Sequence, residues 1–512
     1  MVFRILIANR GEIAIRISRS VRDLGYVPLG IYTDVDVESY HRRFMDSDYR
    51  VSSYLNIDEI IEAAVYLGAD AIHPGYGFLS ENPEFAKRVV SKGFIFIGPQ
   101  PHVIEALGDK VNAKETAVKV GVPTLPYVKV REPEDVVEFG EENGYPLIIK
   151  AVGGGGGMGM RIVYNSESIY SIFEQARKEV EKAFGNPEIF VEPYIEKSKH
   201  IEVQVIGDGD NYVHLYEREC SVQRRYQKII EEAPSPSITW DERNTIVDAA
   251  IRLLSYVKYV NAGTVEFLYD LVRKKFYFME VNTRLQVEHP ITEMVTGVDI
   301  VAKQIEVALE GSLGIKQKDI VLRGHAIEAR INAENPITLT PSPGKITYYS
   351  EPNGAWIRVD SGVTEGSEVP VEYNPLIAKL IVFGSSRAEA LRRLNRALSE
   401  YIIMGVQTNI PLIKAIINHP VFIKGSYTTK FLNDYWNDLI TYIRDKELLH
   451  AAIISSIVAK AGNMAKVVQT RTTSPPTSMN GLMDTRLHSL KRKAWFYWSM
   501  IRSSVRSRRR LK

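Results

Sequence analysis

The sequence predicts an α/β protein of several domains that opens on a parallel sheet with helices on both faces. Three observations predict it. Apolar, strand-like runs alternate with helix-period runs over residues 1–110. A bare glycine run, Gly153–Gly157, joins two further strand-like segments. Long segments with alternating apolar positions fill residues 201–330.

The elements follow in order. "FRILIA" reads as a strand, "GEIAIRISRSVRDLG" as a helix and "VPLGIYT" as a strand. "IDEIIEAAVYLG" reads as a helix, followed by the strands "ADAIHPG" and "FIFIG". Residues 111–127 read as a helix with "GVP" as its stop. A small strand-rich unit is expected over about 128–200. In it "YPLIIK" ends at Lys150, the glycines follow, and "MRIVYN" resumes the extended pattern. "HIEVQVIG" and "NYVHLYERE" read as antiparallel strands, and "AGTVEFLYD" pairs with "KFYFMEVNT". Residues 331–435 mix strands with the helix "SRAEALRRLNRALSEY". "LLHAAIISSIVAKAG", residues 448–462, reads as a packed helix too short and too polar to span a membrane. After about 463 the character changes. "TRTTSPPTSMNG" reads as a linker, and a basic tail follows to Lys512. That tail suits a solvated end, a docking segment for partner subunits, or attachment to a membrane surface or nucleic acid.

Composition bounds the function. The chain has 512 residues, 45% hydrophobic and 25% charged, with a net charge of +2. That is ordinary for a globular protein and shows no general pull toward nucleic acid. Cys220 is the only cysteine, so no intrachain disulfide can form, which fits a reducing compartment. No charged segment followed by a long apolar one precedes the first strand, so a secretory leader is not expected.

Glycine loses more backbone entropy on folding than any other residue, so the glycine run calls for a reason. A phosphate-binding P-loop would lead into a helix through Gly-Lys-Ser/Thr. Here Gly159 is followed by Met160 and Arg161, and no helix begins. A dinucleotide fingerprint fails on the same context. What remains is a mobile hairpin whose backbone N–H groups close over an anion, or a plain surface hairpin.

"MEVNTRLQVEHP" is the most informative stretch. On an extended chain Glu280, Asn282, Arg284, Gln286 and Glu288 share one face, while Val281, Thr283, Leu285 and Val287 share the other. An ordinary half-solvated strand also alternates. This one, however, runs from acid through cation and back to acid. Glu280 and Asn282 offer the hard oxygen ligands that Mg²⁺ prefers, and Glu266 on the hairpin partner could add a third. Arg284 has the fork to hold a carboxylate or bicarbonate in two places. Glu288 is then a candidate general base. Lys110, Lys150, His200, Lys228 and Arg330 could gather on the same cleft. Any one of them alone would pass for a solvated cation or a satisfied histidine.

Taken together, "ANRGEIAIRI", "HPGYGFLSENPEFA", "IIKAVGGGGGMGMR", "HIEVQV", "QRRYQKIIEEAPSP", "AGTVEFL", "MEVNTRLQVEHPITE" and "GHAIEARINAE" resemble biotin carboxylase, in that order and over roughly residues 1–440. The resemblance implies an N-terminal doubly wound (pre-ATP-grasp) domain over 1–110. It also implies an ATP-grasp domain over 111–330 with a mobile lid at about 128–200, and a C-terminal α/β biotin carboxylase domain over 331–440. Residues 441–512 are left as helical extension, linker and tail.

The resemblance further implies site roles. Lys110, Lys150, Gly154, Gly155, Gly156, Gly157, His200 and Gln223 would bind ATP, with Glu192 near the adenine end. Glu266, Glu280 and Asn282 would hold Mg²⁺ or Mn²⁺. Lys228, Arg284, Gln286 and the Val287 backbone would bind bicarbonate. Glu288 would deprotonate it, and Arg330 would stabilise the biotin enolate oxygen. Two positions depart from the family pattern. Met158 stands where arginine is common, and Tyr226 where histidine is common.

No "AMKM"-like attachment segment is present. Biotin is therefore expected on a separate biotin carboxyl carrier protein, with a separate carboxyltransferase subunit. The expected assembly is a homodimer within a hetero-oligomer in the cytoplasm, without nucleic acid or a membrane span. The rival readings are an ATP-grasp ligase that makes an acyl phosphate without biotin, and a catalytically retired organising subunit.

Overall fold

The structure, a computed structural model, describes residues 2–153, 159–185 and 187–471. The glycine positions Gly154–Gly157, Met158 and the basic tail lie outside the described residues.

The N-terminal region is the parallel sheet the sequence predicts. Arg4–Ile7 is central, flanked by Val27–Tyr32 and Ala71–His73, with Ser47–Arg50 and Ile95–Phe96 at the edges. All its pairs are parallel. Alternation places Ile5 and Ile7 against helix Gly11–Asp23, and Leu6 against helices Ile57–Tyr66 and Pro83–Ser91. Asn56 and Asn82 cap the last two helices by accepting from the backbone N–H groups of Glu59 and Phe85. The edge strand Ser47–Arg50 was not expected. "SDYR" carries no apolar alternation, because neither of its faces is buried.

The glycine-bearing unit forms a four-stranded antiparallel sheet. Its order is Val128–Val130, Ile189–Pro193, Leu147–Ala151, Arg161–Val163. The strands on either side of the glycines pair directly, Leu147 opposite Val163 and Ile149 opposite Arg161. Helices Pro133–Asn143 and Ile169–Phe184, absent from the strand-rich expectation, cover this sheet. They close a separate small core of Val136, Phe139, Phe173 and Val180. The unit's sheet ends at Pro193. His200 already belongs to the long strand Ser198–Asp208 of the main sheet.

That main sheet has eight antiparallel strands. They run Lys275–Asn282, Val260–Asp270, Ser198–Asp208, Tyr212–Arg224, Gln227–Ala233, His325–Asn332, Leu376–Gly384, Ile357–Ser361. It continues across residue 330. His325–Asn332 pairs with Gln227–Ala233 on one side and Leu376–Gly384 on the other. Both expected pairings, "HIEVQVIG" with "NYVHLYERE" and "AGTVEFLYD" with "KFYFMEVNT", are present. Helices Lys110–Lys119 and Trp240–Tyr256 join one apolar core with this sheet, through Ala113, Ala117, Ile246 and Leu253 against Ile201, Val203 and Phe267. Helix Arg387–Glu400 contributes Leu394 and Ala397 to a second core at the other end.

The last described helix runs from Phe431 to Arg471. It passes the expected change of character at 463, so Thr470 and Arg471 of the expected linker are helical. The stretch 448–462 is helical, but Leu448 and Leu449 are 68% and 51% exposed, so its first turn is not packed as expected. Among the described residues no helix is long and apolar enough to cross a membrane.

Candidate active site

A cavity of about 670 Å³ lies where the N-terminal sheet, the four-stranded sheet of the glycine-bearing unit and the main sheet meet. Lys110, Lys150, His200, Gln223, Lys228, Glu266, Glu280, Asn282, Arg284, Gln286, Val287 and Arg330 all line it. On the N-terminal side its wall includes Asn9, Tyr76 and Phe78. Gly75 lets that wall form. Its φ is +65°, and a Cβ there would lie 2.8 Å from the Asn9 amide nitrogen. That nitrogen donates to the Pro74 and Tyr76 carbonyls, each at 2.8 Å.

The main sheet sets the spacing of the acids. Glu280 lies opposite Glu266, Glu266 opposite Glu202, and Glu202 opposite Arg218. Three carboxylates in a row on neighbouring strands would repel. Lys228 answers Glu202 and Glu266, while Lys110 pairs with Glu280. The Lys228 Nζ donates to Glu202 Oε2 at 2.5 Å, Glu266 Oε1 at 3.0 Å and Glu288 Oε1 at 2.6 Å. Burial opposes the charge on Lys228, yet these acids hold its pKa well above the ordinary lysine value. Arg218, fully buried, braces the row from behind, donating from Nε to Glu202 Oε1 at 2.5 Å.

The segment after Asn282 corrects one expectation. The strand stops at Asn282, residues 283–288 are irregular, and a helix begins at His289. Leu285 still points into the core, but Val287 faces the cavity rather than the opposite side. Its carbonyl accepts from Lys379 Nζ at 2.9 Å. Arg284 is placed by two domains. Its Nε donates to Glu81 Oε2 at 2.8 Å and its Nη2 to Asn282 Oδ1 at 3.0 Å. Glu81 Oε1 also accepts from the Thr283 backbone N–H at 3.1 Å.

Glu288 and Glu192 do not line the cavity. Each sits one side chain behind it. Glu288 is fully buried, with Oε1 on Lys228 and Oε2 accepting from Arg330 Nη2 at 2.8 Å. Burial would raise its pKa, but Lys228, Arg330 and Arg218 hold it well below the usual carboxylate range. Glu192 accepts from Lys150 Nζ and pairs with Lys114 Nζ at 2.8 Å. Burial again opposes, and the two lysines bring its pKa down to about 2. It therefore orients Lys150 within the lid.

Glu266, Glu280 and Asn282 form an oxygen-only donor set. The Asn282 amide nitrogen donates to Glu266 Oε1 at 2.9 Å, and Lys110 Nζ lies 3.1 Å from Glu280 Oε2. Hard oxygens from two carboxylates and one amide fit Mg²⁺ or Mn²⁺ bound together with phosphate oxygens. Two other groupings, His200 with Glu202 and Glu266, and Glu202 with Cys220 and Glu288, also bring ligand atoms within 4.8 Å. The Lys228 ammonium bonds carboxylates of both, and Glu266 belongs to the first as well as to the oxygen-only set. His200 Nε2 lies 3.0 Å from Glu266 Oε2, and its Nδ1 is 2.9 Å from Gln223 Nε2.

Sequence reasoning assigned no role to Glu202, Arg218, Glu81, Glu231, Lys379 or Lys114. Glu202 had a signal, a charge between Ile201 and Val203 two residues after His200. The others become part of the site only through pairings distant in sequence.

Known proteins agree with this architecture. The model of the biotin carboxylase N-terminal domain matches residues 1–104. That of the carbamoyl-phosphate synthase L chain ATP binding domain matches 109–316, and that of the biotin carboxylase C-terminal domain matches 328–434. A pyruvate carboxylase subunit of Methanothermobacter thermautotrophicus is 49% identical over 445 residues, 85% of this chain and 90% of that protein. Biotin carboxylase 1 of Bacillus subtilis is 44% identical over 445 residues, 85% of this chain and 99% of its own length. Among solved structures, the biotin carboxylase domain dimer of Hydrogenobacter thermophilus 2-oxoglutarate carboxylase, in complex with MgADP, ADP and bicarbonate, superposes with a TM-score of 0.84 at 43% identity. It covers 86% of this chain and 99% of that one. With identities of this size over most of its length, the chain belongs to the biotin carboxylase family.

Proposed function

We propose a reaction for the chain and a role in it for each cavity residue. The reaction is ATP- and bicarbonate-dependent carboxylation of biotin on a separate carrier protein, through carboxyphosphate. The observation that carries the assignment is Glu288, buried and held between Lys228 and Arg330 directly behind a cavity that presents Lys110, Lys150 and an oxygen donor set.

Lys110, Lys150, His200 and Gln223 take the nucleotide, with Glu192 orienting Lys150. Gly154–Gly157, outside the described residues, are assigned to the nucleotide's phosphates as the family resemblance implies. Glu266, Glu280 and Asn282 hold Mg²⁺ or Mn²⁺. The bound metal supplies positive charge to the transferring phosphoryl group. Arg284, Gln286 and the Val287 backbone hold bicarbonate, with Lys228 turned toward it.

That turn is mechanistically useful. While Lys228 and Arg330 both bind Glu288, its carboxylate is a weak base. As they swing to the incoming anions, Glu288 regains basicity and takes the bicarbonate proton. A bicarbonate oxygen bonds to the γ-phosphorus as the bond to ADP breaks. The carboxyphosphate splits into CO₂ and phosphate, and the phosphate takes the biotin N1′ proton. The new N1′–carbon bond then forms, with Arg330 facing the enolate oxygen. Lid closure keeps water from the labile intermediate.

The same reading assigns residues 1–110, 111–330 with the lid at about 128–200, and 331–440 to the three family domains. The partners are a biotin carboxyl carrier protein and a carboxyltransferase, in an acyl-CoA carboxylase built on a homodimer of this chain. The relative named for pyruvate carboxylase favours a second reading, in which pyruvate is the final acceptor. The carboxyltransferase decides between them. The location is cytoplasmic, with which the free, buried thiol of Cys220 accords.

The test is ATP hydrolysis by the purified chain. It should require bicarbonate and a divalent cation, and rise with free biotin or a biotinylated carrier domain. Hydrolysis indifferent to both forms of biotin would restore the biotin-free ligase reading.

A further inference from the structure

Behind Arg330 lie two acids that the reaction above does not use. Glu231 and Glu328 stand directly opposite each other on neighbouring strands, and both are fully buried. Arg330 Nε donates to Glu231 Oε1 at 2.5 Å, while its Nη2 serves Glu288. Among the described residues, Glu231 Oε2 and both oxygens of Glu328 find no protein donor.

Every charge around the pair is already committed. Lys228, on the strand of Glu231, is shared among Glu202, Glu266 and Glu288. Lys379, across from Arg330 on the next strand, donates to the Val287 carbonyl and pairs with Glu12 at 3.2 Å. Arg218 belongs to Glu202. The Cys220 thiol nearby is pushed up by burial. The acids Glu12, Glu202, Glu231, Glu266, Glu288 and Glu328 therefore outnumber the cations Lys228, Lys379, Arg218 and Arg330. Two ionised carboxylates directly opposed in a buried sheet repel, and a buried charge without a partner neutralises itself by taking a proton.

We propose that Glu231 and Glu328 hold one proton between them, and that this proton leaves Arg330 free to turn from the acids behind it to the substrate in front. Burial carries Glu231 up to about 7 and Glu328 well above the usual carboxylate range, in line with that placement. As pH rises the pair releases the proton to solvent and becomes two carboxylates. The added negative charge pulls Arg330 backward, and biotin carboxylation falls. Glu231 and Glu328 are thus positioning residues.

Two measurements on the full chain test this, and only the second rests on the proposed function. In the first, infrared spectra at neutral pH should show a protonated carboxyl band in the wild type that is missing in Glu328→Gln. No such band in the wild type would overturn the proposal without reference to any variant. In the second, the alkaline limb of biotin-dependent ATP cleavage should move up by about one pH unit in Glu328→Gln, whose amide mimics the protonated acid. Glu231→Gln should move it in the same direction. Limbs that superimpose on the wild type would also overturn the proposal. A wild type that biotin does not stimulate would sink the proposed function and leave the infrared result standing.

Discussion

The glycine-bearing unit and the main sheet balance charge differently. In the glycine-bearing unit a single buried acid, Glu192, faces two lysines, Lys150 of the same sheet and Lys114 of helix Lys110–Lys119. In the sheet a single lysine, Lys228, faces three acids, Glu202, Glu266 and Glu288. The first side therefore carries one cation beyond its acid, while Arg218 on Glu202 and Arg330 on Glu288 bring the three sheet acids into balance with their cations. Lys110 on Glu280 bridges the two. A nucleotide with its divalent cation offers phosphate oxygens to the side with the extra lysine and the metal to the oxygen donors Glu266, Glu280 and Asn282. The difference teaches that the cavity is complementary to the metal–nucleotide pair rather than to either alone.

The largest expected effect breaks the sheet side. Glu288→Gln should lower kcat for bicarbonate-dependent ATP cleavage by about 10²–10⁴, the usual worth of a general base. Nucleotide binding, followed by calorimetry, should survive. Near-normal turnover would remove Glu288 from the chemistry.

The next separates structural charge in the sheet from reactive charge. Glu232, which does not line the cavity, accepts from His325 at 2.6 Å, from Arg387 at 2.6 and 3.0 Å, and from Tyr427. Glu232→Gln should cost about 3–5 kcal/mol of stability, read by urea unfolding, because it breaks a buried pair. Burial would raise its pKa, yet His325 and Arg387 hold it well below 4.5. The pair's stabilisation is thus full above the ordinary carboxylate range and is lost as pH falls through the lowered value. The wild type should lose stability on acidification more steeply than the variant. Parallel acid limbs would show that the pair contributes nothing.

The lid side should give a binding effect. Lys150→Met should raise the KM for ATP about tenfold, near 1.4 kcal/mol, with little change in kcat. A fall in kcat alone would place Lys150 in the transition state instead. The smallest effect is expected at Tyr226, which lines the cavity with φ +67°. Tyr226→His should change ATP affinity by less than about fivefold, roughly 1 kcal/mol. It should also leave stability equal or slightly higher, since histidine tolerates positive φ better. Thermal melts with and without ATP would separate the two contributions.

Much of the fold was legible because its signals are local. The βαβ rhythm, the strands flanking the glycines and the hairpin of "AGTVEFLYD" with "KFYFMEVNT" follow from side-chain period and turn chemistry. The strand Ser47–Arg50 and the two lid helices were not read. The first has no apolar alternation, and the second were masked by the β-rich segments around them. At the site, "MEVNTRLQVEH" disclosed its donors by type. The irregular path after Asn282 was invisible, because strand-like alternation persists in sequence where hydrogen bonding has ended.

The sequence by itself determined which chemistry is present, namely hard oxygens, a guanidinium fork, lysines and a glycine hairpin, because those capacities belong to residue types. Only the tertiary structure decided which groups touch the cavity and which stand behind it. Glu288 and Glu192 withdraw one layer, Arg284 is set by Glu81 from another domain, and Arg330 is held between Glu231 and Glu288. The physical reason is range. A residue's capacity is fixed by its own atoms, but its charge state and direction are set by partners that only sheet register and domain packing bring within hydrogen-bond distance.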